Sequence, residues 1–187
     1  ELLKDFPEPQ RYDVLSSTKL EVTTLDLALT EAEVQDPDFI KLDTQGTELF
    51  ILQGASATLG RSVFGIEVEV EFAEIYQGQP LFSEVDNLLR QYGFTLFDLR
   101  VIHWKRELGR KVGGRRGQAI FGDALYFRSM SEFFKLQTCS KAKVLKALSI
   151  CVVYGFFDFA LAICEEAARL GILNQQEHKL AADSLRR

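Results

Sequence analysis

Residues 38–48 read DFIKLDTQGTE, an apolar run followed by two carboxylates on either side of a glycine. Phe39–Leu42 is typical of a buried parallel strand, and the apolar residues that follow recur at helical spacing at Leu49, Leu52, Ala55 and Leu59. The pattern predicts a strand, a polar turn and a helix. Ligands of open α/β sheets bind outside the carboxyl ends of the strands, which is where Asp43, Gln45, Gly46 and Glu48 would lie.

Two acids at a strand end are costly in a core and useful in a site, which favours a functional role for Asp43 and Glu48. A carboxylate in a strand–turn–helix unit can also serve as a plain helix cap. Lys41 lies two residues before Asp43 on the same strand face. A structural ion pair of Lys41 with Asp43 or Glu48 is therefore a further alternative.

The longer string DFIKLDTQGTELFILQGA (38–55) resembles the signature of the FkbM family of S-adenosylmethionine-dependent methyltransferases. In that signature a strand ending in K-[IL]-D-x-[EQ]-G-x-E precedes a helix ending in L-x-G-A. The resemblance continues in VFGIEVEVEF (63–72) and GQPLFSEVDNLLRQYGF (78–94), and it covers roughly residues 21–128. These strings are specific for the family and say little about the substrate.

The resemblance implies an α/β fold, the C-terminal part of a Rossmann-like class I methyltransferase sheet that ends in an antiparallel strand pair. After an N-terminal strand and helix, the predicted elements follow the same order: strand, helix, strand, helix, strand, strand. They are predicted over Lys19–Thr24, Asp26–Val34, Phe39–Leu42, Thr47–Leu59, Val63–Phe72, Phe82–Tyr92, Phe94–Val101 and Gln118–Arg128. We therefore expect residues 1–130 to form a methyltransferase-like domain.

No glycine-rich turn of the G-x-G-x-x-G type precedes Asp38, where the resemblance would place the cofactor-binding strands. We therefore expect this chain to lack those N-terminal strands and to be inactive as an isolated methyltransferase. Truncation of a longer protein is favoured over a divergent protein that has lost the strands.

Residues 131–187 are predicted to form a helical tail, with helices over Lys141–Tyr154, Asp158–Leu170 and Gln175–Leu185. Asn174 and Glu177 have the spacing of a capping box for the third helix. The segment YGFFDFALAICEEAARLG (154–171) weakly resembles a tetratricopeptide-type hairpin. We expect the tail to pack on the sheet or to contact a protein partner or a second copy of the chain.

Composition argues against three classes of protein: those with a membrane span, those that bind nucleic acid and those with a CxxC motif. The apolar stretch Ala147–Cys164 reaches the length at which a membrane span is considered, but Gly155 and Asp158 interrupt it, which favours a buried helical hairpin. The net charge of −5 argues against nucleic-acid binding. The three cysteines are too widely spaced for a CxxC motif. Free thiols in a reducing compartment, and hence a cytoplasmic protein, are expected.

The resemblance implies an S-adenosylmethionine-dependent O-methyltransferase that modifies a hydroxyl of a sugar, glycan or polyketide-like acceptor. Its candidate catalytic residues are Asp43, Glu48 and Lys41, and its candidate cofactor contacts are Asp43, Gln45 and Gly46. No residue is assigned to a metal ion. The alternative is a non-catalytic interaction module built from a degenerate methyltransferase fold and the helical tail.

Acids and cations outside residues 38–48 supply candidate substrate contacts. Glu67, Glu69 and Glu71 share one face of a predicted strand, and three acids on a covered face would be expensive. Glu69 and Glu71 are therefore candidates, although a strand with one solvent-exposed face would also explain them.

Trp104 and Arg106 are further candidates, because a basic cluster surrounds a predicted hairpin tip: Lys105, Arg106, Arg110, Lys111, Arg115 and Arg116. Such a cluster suits an anionic acceptor or a solvated hairpin.

Overall fold

The computed structural model describes residues 2–114 and 116–186, so Arg115 of the predicted basic cluster lies outside the described residues. One mixed sheet has the strand order β1-β2-β4-β3. Its strands are β1 (Phe39–Leu42), β2 (Gly65–Glu71), β3 (Phe94–Trp104) and β4 (Gln118–Arg128). β1 runs parallel to β2, and β4 pairs antiparallel with both β2 and β3. The predicted α/β class and the antiparallel pairing of the last two strands are confirmed.

Four helices cover one face of the sheet: α1 (Leu25–Glu31), α2 (Glu48–Gln53), α3 (Ser56–Arg61) and α4 (Phe82–Gln91). Ile66, Val68 and Val70 of β2 are fully buried in this layer. Burying such side chains stabilises the fold by roughly 1.5–3 kcal/mol each. Because side chains alternate along a strand, this burial turns Glu67, Glu69 and Glu71 to the opposite face.

Helices of residues 130–185 pack on that opposite face: α5 (Met130–Phe133), α6 (Lys141–Val153), α7 (Phe157–Arg169) and α8 (Gln175–Leu185). Phe64 and Phe127 of the sheet region are buried together with Phe133 in a second apolar cluster. The predicted capping box is present, since Asn174 and Glu177 exchange hydrogen bonds of 2.9 Å. In residues 2–114 and 116–186, no helix combines the length and the apolar character needed to cross a membrane.

The strand predicted over Lys19–Thr24 is wrong. These residues are exposed and belong to no strand, and Leu20 and Val22 keep 79% and 92% of their surface in contact with solvent. An alternating pattern makes a strand only where a neighbouring strand supplies hydrogen bonds and buries one face. Thr24 instead caps α1, accepting a hydrogen bond from the Leu27 amide at 3.3 Å.

The helix predicted over Thr47–Leu59 is divided into α2 and α3, which meet at Gly54 and Ala55. Asp26 explains the division, because its carboxylate accepts hydrogen bonds from the amides of Ala57 and Thr58 at 2.9 Å each. These amides belong to the first turn of α3, where helical amides lack partners within the helix. The contact with Asp26, which is distant in the sequence, therefore starts α3 at a position that the local apolar pattern does not predict.

Candidate active site

The turn that follows β1 is shaped by Glu48. Its carboxylate accepts hydrogen bonds from the Thr44 amide at 2.5 Å, the Thr44 hydroxyl at 2.9 Å and the Gly46 amide at 2.9 Å. Glu48 is only 2% exposed. Gln45 and Gly46 take positive φ angles of 59° and 107°, so the chain reverses sharply here. The predicted catalytic candidate Glu48 thus holds the backbone of the turn in place.

Gln45 joins two carboxylates from neighbouring strands. Its side-chain amide donates to Asp43 Oδ1 at 3.1 Å and to Glu69 Oε2 at 2.9 Å. The two acids come together because β1 and β2 are parallel, with Leu42 beside Val68. The predicted candidates Asp43, Gln45 and Glu69 therefore form one cluster at the carboxyl end of parallel strands, which is where this type of sheet binds its ligands.

Glu69 and Glu71 have unusual acidities for carboxyl groups. Burial raises the pKa of Glu69 to about 7, and the charges of Asp43, Glu48 and Asp123 contribute. Burial likewise raises the pKa of Glu71 to about 7, with contributions from Glu48 and Glu69. A carboxyl group that exchanges its proton near neutral pH is suited to general acid–base chemistry.

Two members of this cluster, Asp123 and Gln79, were not predicted from the sequence. Asp123 of β4 lies directly opposite Glu69 in the antiparallel register. Gln79 is 8% exposed, and its side-chain oxygen accepts hydrogen bonds from the amides of Ile75 and Tyr76 at 2.9 and 3.0 Å. A Cβ atom on Gly46 would lie 2.7 Å from Gln79 Nε2, so a larger residue there would displace the end of the Gln79 side chain. A lone carboxylate in the aromatic-rich strand QAIFGDALYFR was the signal available for Asp123.

Lys41 does not pair with Asp43 or Glu48, so that predicted ion pair is wrong. The strand register places Lys41 beside Glu67, and Lys41 Nζ lies 2.5 Å from Glu67 Oε1. The Tyr154 hydroxyl of the segment after α6 donates to the other oxygen of Glu67 at 2.6 Å. Burial opposes ionisation of Glu67, yet these two hydrogen bonds hold its pKa below the usual value. Lys41 thus helps to join the sheet to the helical tail.

The predicted substrate contacts Trp104 and Arg106 lie in a different group of residues. Trp104 packs against the rings of Phe6 and Tyr12, with ring centres 5.6 and 5.8 Å away. The Arg106 guanidinium lies 5.3 Å from the centre of the Phe6 ring and donates to Gln118 Oε1 at 2.8 Å. The structure therefore does not bring Arg106 to the carboxylate cluster.

Within the part of the chain that the structure describes, no three His, Cys, Asp or Glu side chains are grouped so as to hold a metal ion. The acceptor oxygens of Asp43 and Glu69 are suited to a cationic or hydroxyl-bearing organic ligand.

Comparison with known proteins supports the resemblance seen in the sequence. The family model described as Methyltransferase FkbM domain matches residues 4–96, a range that contains β1, the turn after it, and β2 with its acids. No curated protein and no solved structure matches the chain.

Proposed function

We propose, from the FkbM methyltransferase domain that residues 4–96 match, that this protein transfers a methyl group from S-adenosylmethionine to a hydroxyl oxygen. The family match supports a methyltransferase, and the oxygen acceptor is our inference. The observation that carries it is the pair Asp43 and Glu69, bridged by Gln45, with the pKa of Glu69 near 7. The proposed fold is the C-terminal part of a Rossmann-like methyltransferase sheet.

The donor set at the turn fits the proposed cofactor. S-adenosylmethionine carries a positively charged sulfonium and an ammonium group, and when bound it supplies an electrophilic methyl group. Asp43 and Gln45 offer acceptor oxygens for these cationic groups, and Gly46 allows backbone to come close to a ligand. We assign cofactor contact to these three residues.

Methylation of a hydroxyl releases one proton, and we assign its acceptance to Glu69. A base works best when its pKa is near the working pH, and the pKa of Glu69 is about 7. Asp43 contributes in two ways, since its charge raises the pKa of Glu69 and its hydrogen bond orients Gln45. Glu71 and Asp123 extend the same acidic wall on β2 and β4.

The experiment is a methyl-transfer assay on the full-length protein, with sugar and polyketide-like hydroxyl acceptors. Glu69→Gln should lower the rate by roughly 100- to 10,000-fold, the usual contribution of a general base, while the protein stays folded. The wild-type rate should rise with pH through about 7, as Glu69 loses its proton. Glu31→Gln, at an exposed position of α1, is the matched control. Wild-type turnover by folded Glu69→Gln would remove Glu69 from the mechanism.

A non-catalytic interaction module is the second candidate. The exposed apolar residues Val153 and Phe157, at the junction of α6 and α7, favour a protein contact there. Calorimetric titration with S-adenosylmethionine separates the two candidates. If the full-length protein fails to bind the cofactor, the module is supported.

A further inference from the structure

A cavity of about 380 Å³ lies between the N-terminal segment and the end of β3. One wall is formed by Phe6, Pro7 and Tyr12, where a 3₁₀ turn spans Pro9–Tyr12. The opposite wall is formed by Trp104 and the residues that follow β3. A cavity of this size can enclose a small organic ligand.

The interior of the cavity is aromatic. Trp104 contacts Phe6, Tyr12 and Phe121 at ring-centre distances of 5.6, 5.8 and 5.8 Å. Phe6 is only 3% exposed, which anchors the N-terminal segment on β3. A surface of fixed aromatic rings suits the weakly apolar C–H face of a sugar ring, which packs flat against such a wall.

The rim of the cavity is positively charged. Arg11, Lys105 and Arg110 line it, against the single acid Glu8. Arg11 and Arg110 make only loose ion pairs, 3.5 Å from Glu8 and 3.7 Å from Glu107, and their side chains are 72% and 63% exposed. Exposed pairs of this kind contribute little stability, so both guanidinium groups can turn to an anionic ligand at small cost.

Tyr12 of the cavity wall contacts Tyr76, which lies next to the carboxylate cluster. The Tyr12 ring lies 6.4 Å from the ring of Tyr76, whose amide is bonded to Gln79 of the cluster. Burial is the main cause that raises the pKa of Tyr12. The charge of Arg11 lowers it, and Tyr76 and Glu69 raise it further. A ligand in the cavity can therefore extend toward Glu69.

We propose that this cavity is the acceptor subsite and binds a sugar phosphate, with the sugar ring on Trp104 and Tyr12 and the phosphate on Arg11 and Arg110. The role of this ligand as the methyl acceptor rests on the proposed function. The binding of a sugar phosphate does not depend on it. A sugar phosphate gives the acceptor a negative charge, which the carboxylate cluster alone would repel. The cationic rim therefore also determines which end of the ligand points toward Glu69.

The test uses Trp104 as its probe, because it is the single tryptophan of the chain. Glucose 6-phosphate should change tryptophan emission in a saturable way, without any cofactor present. Glucose and inorganic phosphate should each bind at least about tenfold more weakly, since each lacks one half of the contacts. Equal affinity for inorganic phosphate, or an emission that glucose 6-phosphate does not change, would overturn the proposal.

Two variants show which contacts are responsible. Arg11→Ala should weaken glucose 6-phosphate binding about tenfold and leave glucose binding unchanged. Arg169→Ala removes the same charge from another exposed arginine, which pairs with Glu166 on α7 at 2.6 Å, and should have no effect. Equal binding by both variants would contradict the subsite. If glucose 6-phosphate binds but no methyl transfer occurs, only the proposed function is refuted. If the protein methylates a neutral acceptor and Arg11→Ala does not change that rate, only the subsite is refuted.

Discussion

At the scale of single residues, the carboxyl groups on β2 differ in what they contribute. Glu67 is held by Lys41 and Tyr154, and it joins two parts of the fold. Burial raises the pKa of Glu69 and Glu71, and the charges of neighbouring acids raise it further. Acids that repel one another in a half-buried place reduce stability, so their position is better explained by function than by folding.

The raised pKa values of these two acids predict how stability depends on pH. The pKa of Glu69 and Glu71 rises from an ordinary 4.5 to about 7 on folding. A raised acid pKa favours the folded state fully below pH 4.5, and this contribution is lost as pH rises through about 7. Replacing both residues with Gln should therefore raise the thermal midpoint more at about pH 8 than at about pH 5.

Differential scanning calorimetry at the two pH values measures this difference. For a chain of this length, roughly 2–4 °C corresponds to about 1 kcal/mol. Glu31→Gln on the exposed surface of α1 should shift the midpoint equally little at both pH values. A double variant that follows the wild-type pH dependence would show that these two carboxyls do not titrate as proposed.

The sequence was informative about site residues that are close together in the chain. Asp43, Gln45, Gly46 and Glu48 follow one strand, so their proximity needs only the strand–turn–helix pattern. Tyr12 and Asp123 lie far away in sequence, and only the sheet register and the N-terminal segment bring them near Glu69. The Lys41 pairing was wrong for the same reason, because strand register decides which neighbour a side chain meets.

At the scale of elements, the turn between β1 and α2 depends on Gly46. Its φ of +107° is unfavourable for any residue with a Cβ atom, and that atom would meet Gln79 at 2.7 Å. Gly46→Ala should therefore lower the free energy of unfolding by at least about 1 kcal/mol. It should also displace Gln79.

Gly60 provides the matched control in α3. A Cβ atom there would meet nothing within 4 Å, and the residue lies within a helix. Gly60→Ala should therefore stabilise the protein by roughly 0.5–1 kcal/mol. Urea unfolding of both variants gives the comparison. Equal changes of the same sign would show that neither the backbone angle nor the contact with Gln79 matters.

Elements were predictable where local pattern and long-range packing agree. The helix Phe82–Gln91 and the strands β3 and β4 combine periodic apolar residues with faces that are buried in the structure. Lys19–Thr24 alternates equally well but has no neighbouring strand to pair with in the described residues. Local pattern alone does not show whether a partner strand exists.

At the scale of the whole molecule, the sheet joins two apolar clusters that lie on its opposite faces. The tail cluster includes Phe64 and Phe127 of the sheet region, and Phe133 packs on Phe64 with ring centres 5.0 Å apart. Asp38, next to β1, lies 2.6 Å from Lys143 and 2.7 Å from Lys146 of α6. We therefore infer that residues 131–187, proposed as a separate tail, unfold together with the sheet.

Phe133→Ala tests this coupling. Phe133 is fully buried, so its loss should cost roughly 3–5 kcal/mol. Because the two clusters share the sheet, the midpoint followed by Trp104 emission on β3 should fall as far as the midpoint followed by helical circular dichroism. Phe157→Ala, at a 47% exposed position of α7, should move both midpoints only slightly. An unchanged Trp104 transition in Phe133→Ala would mean that the helices fold independently of the sheet that carries the carboxylate cluster.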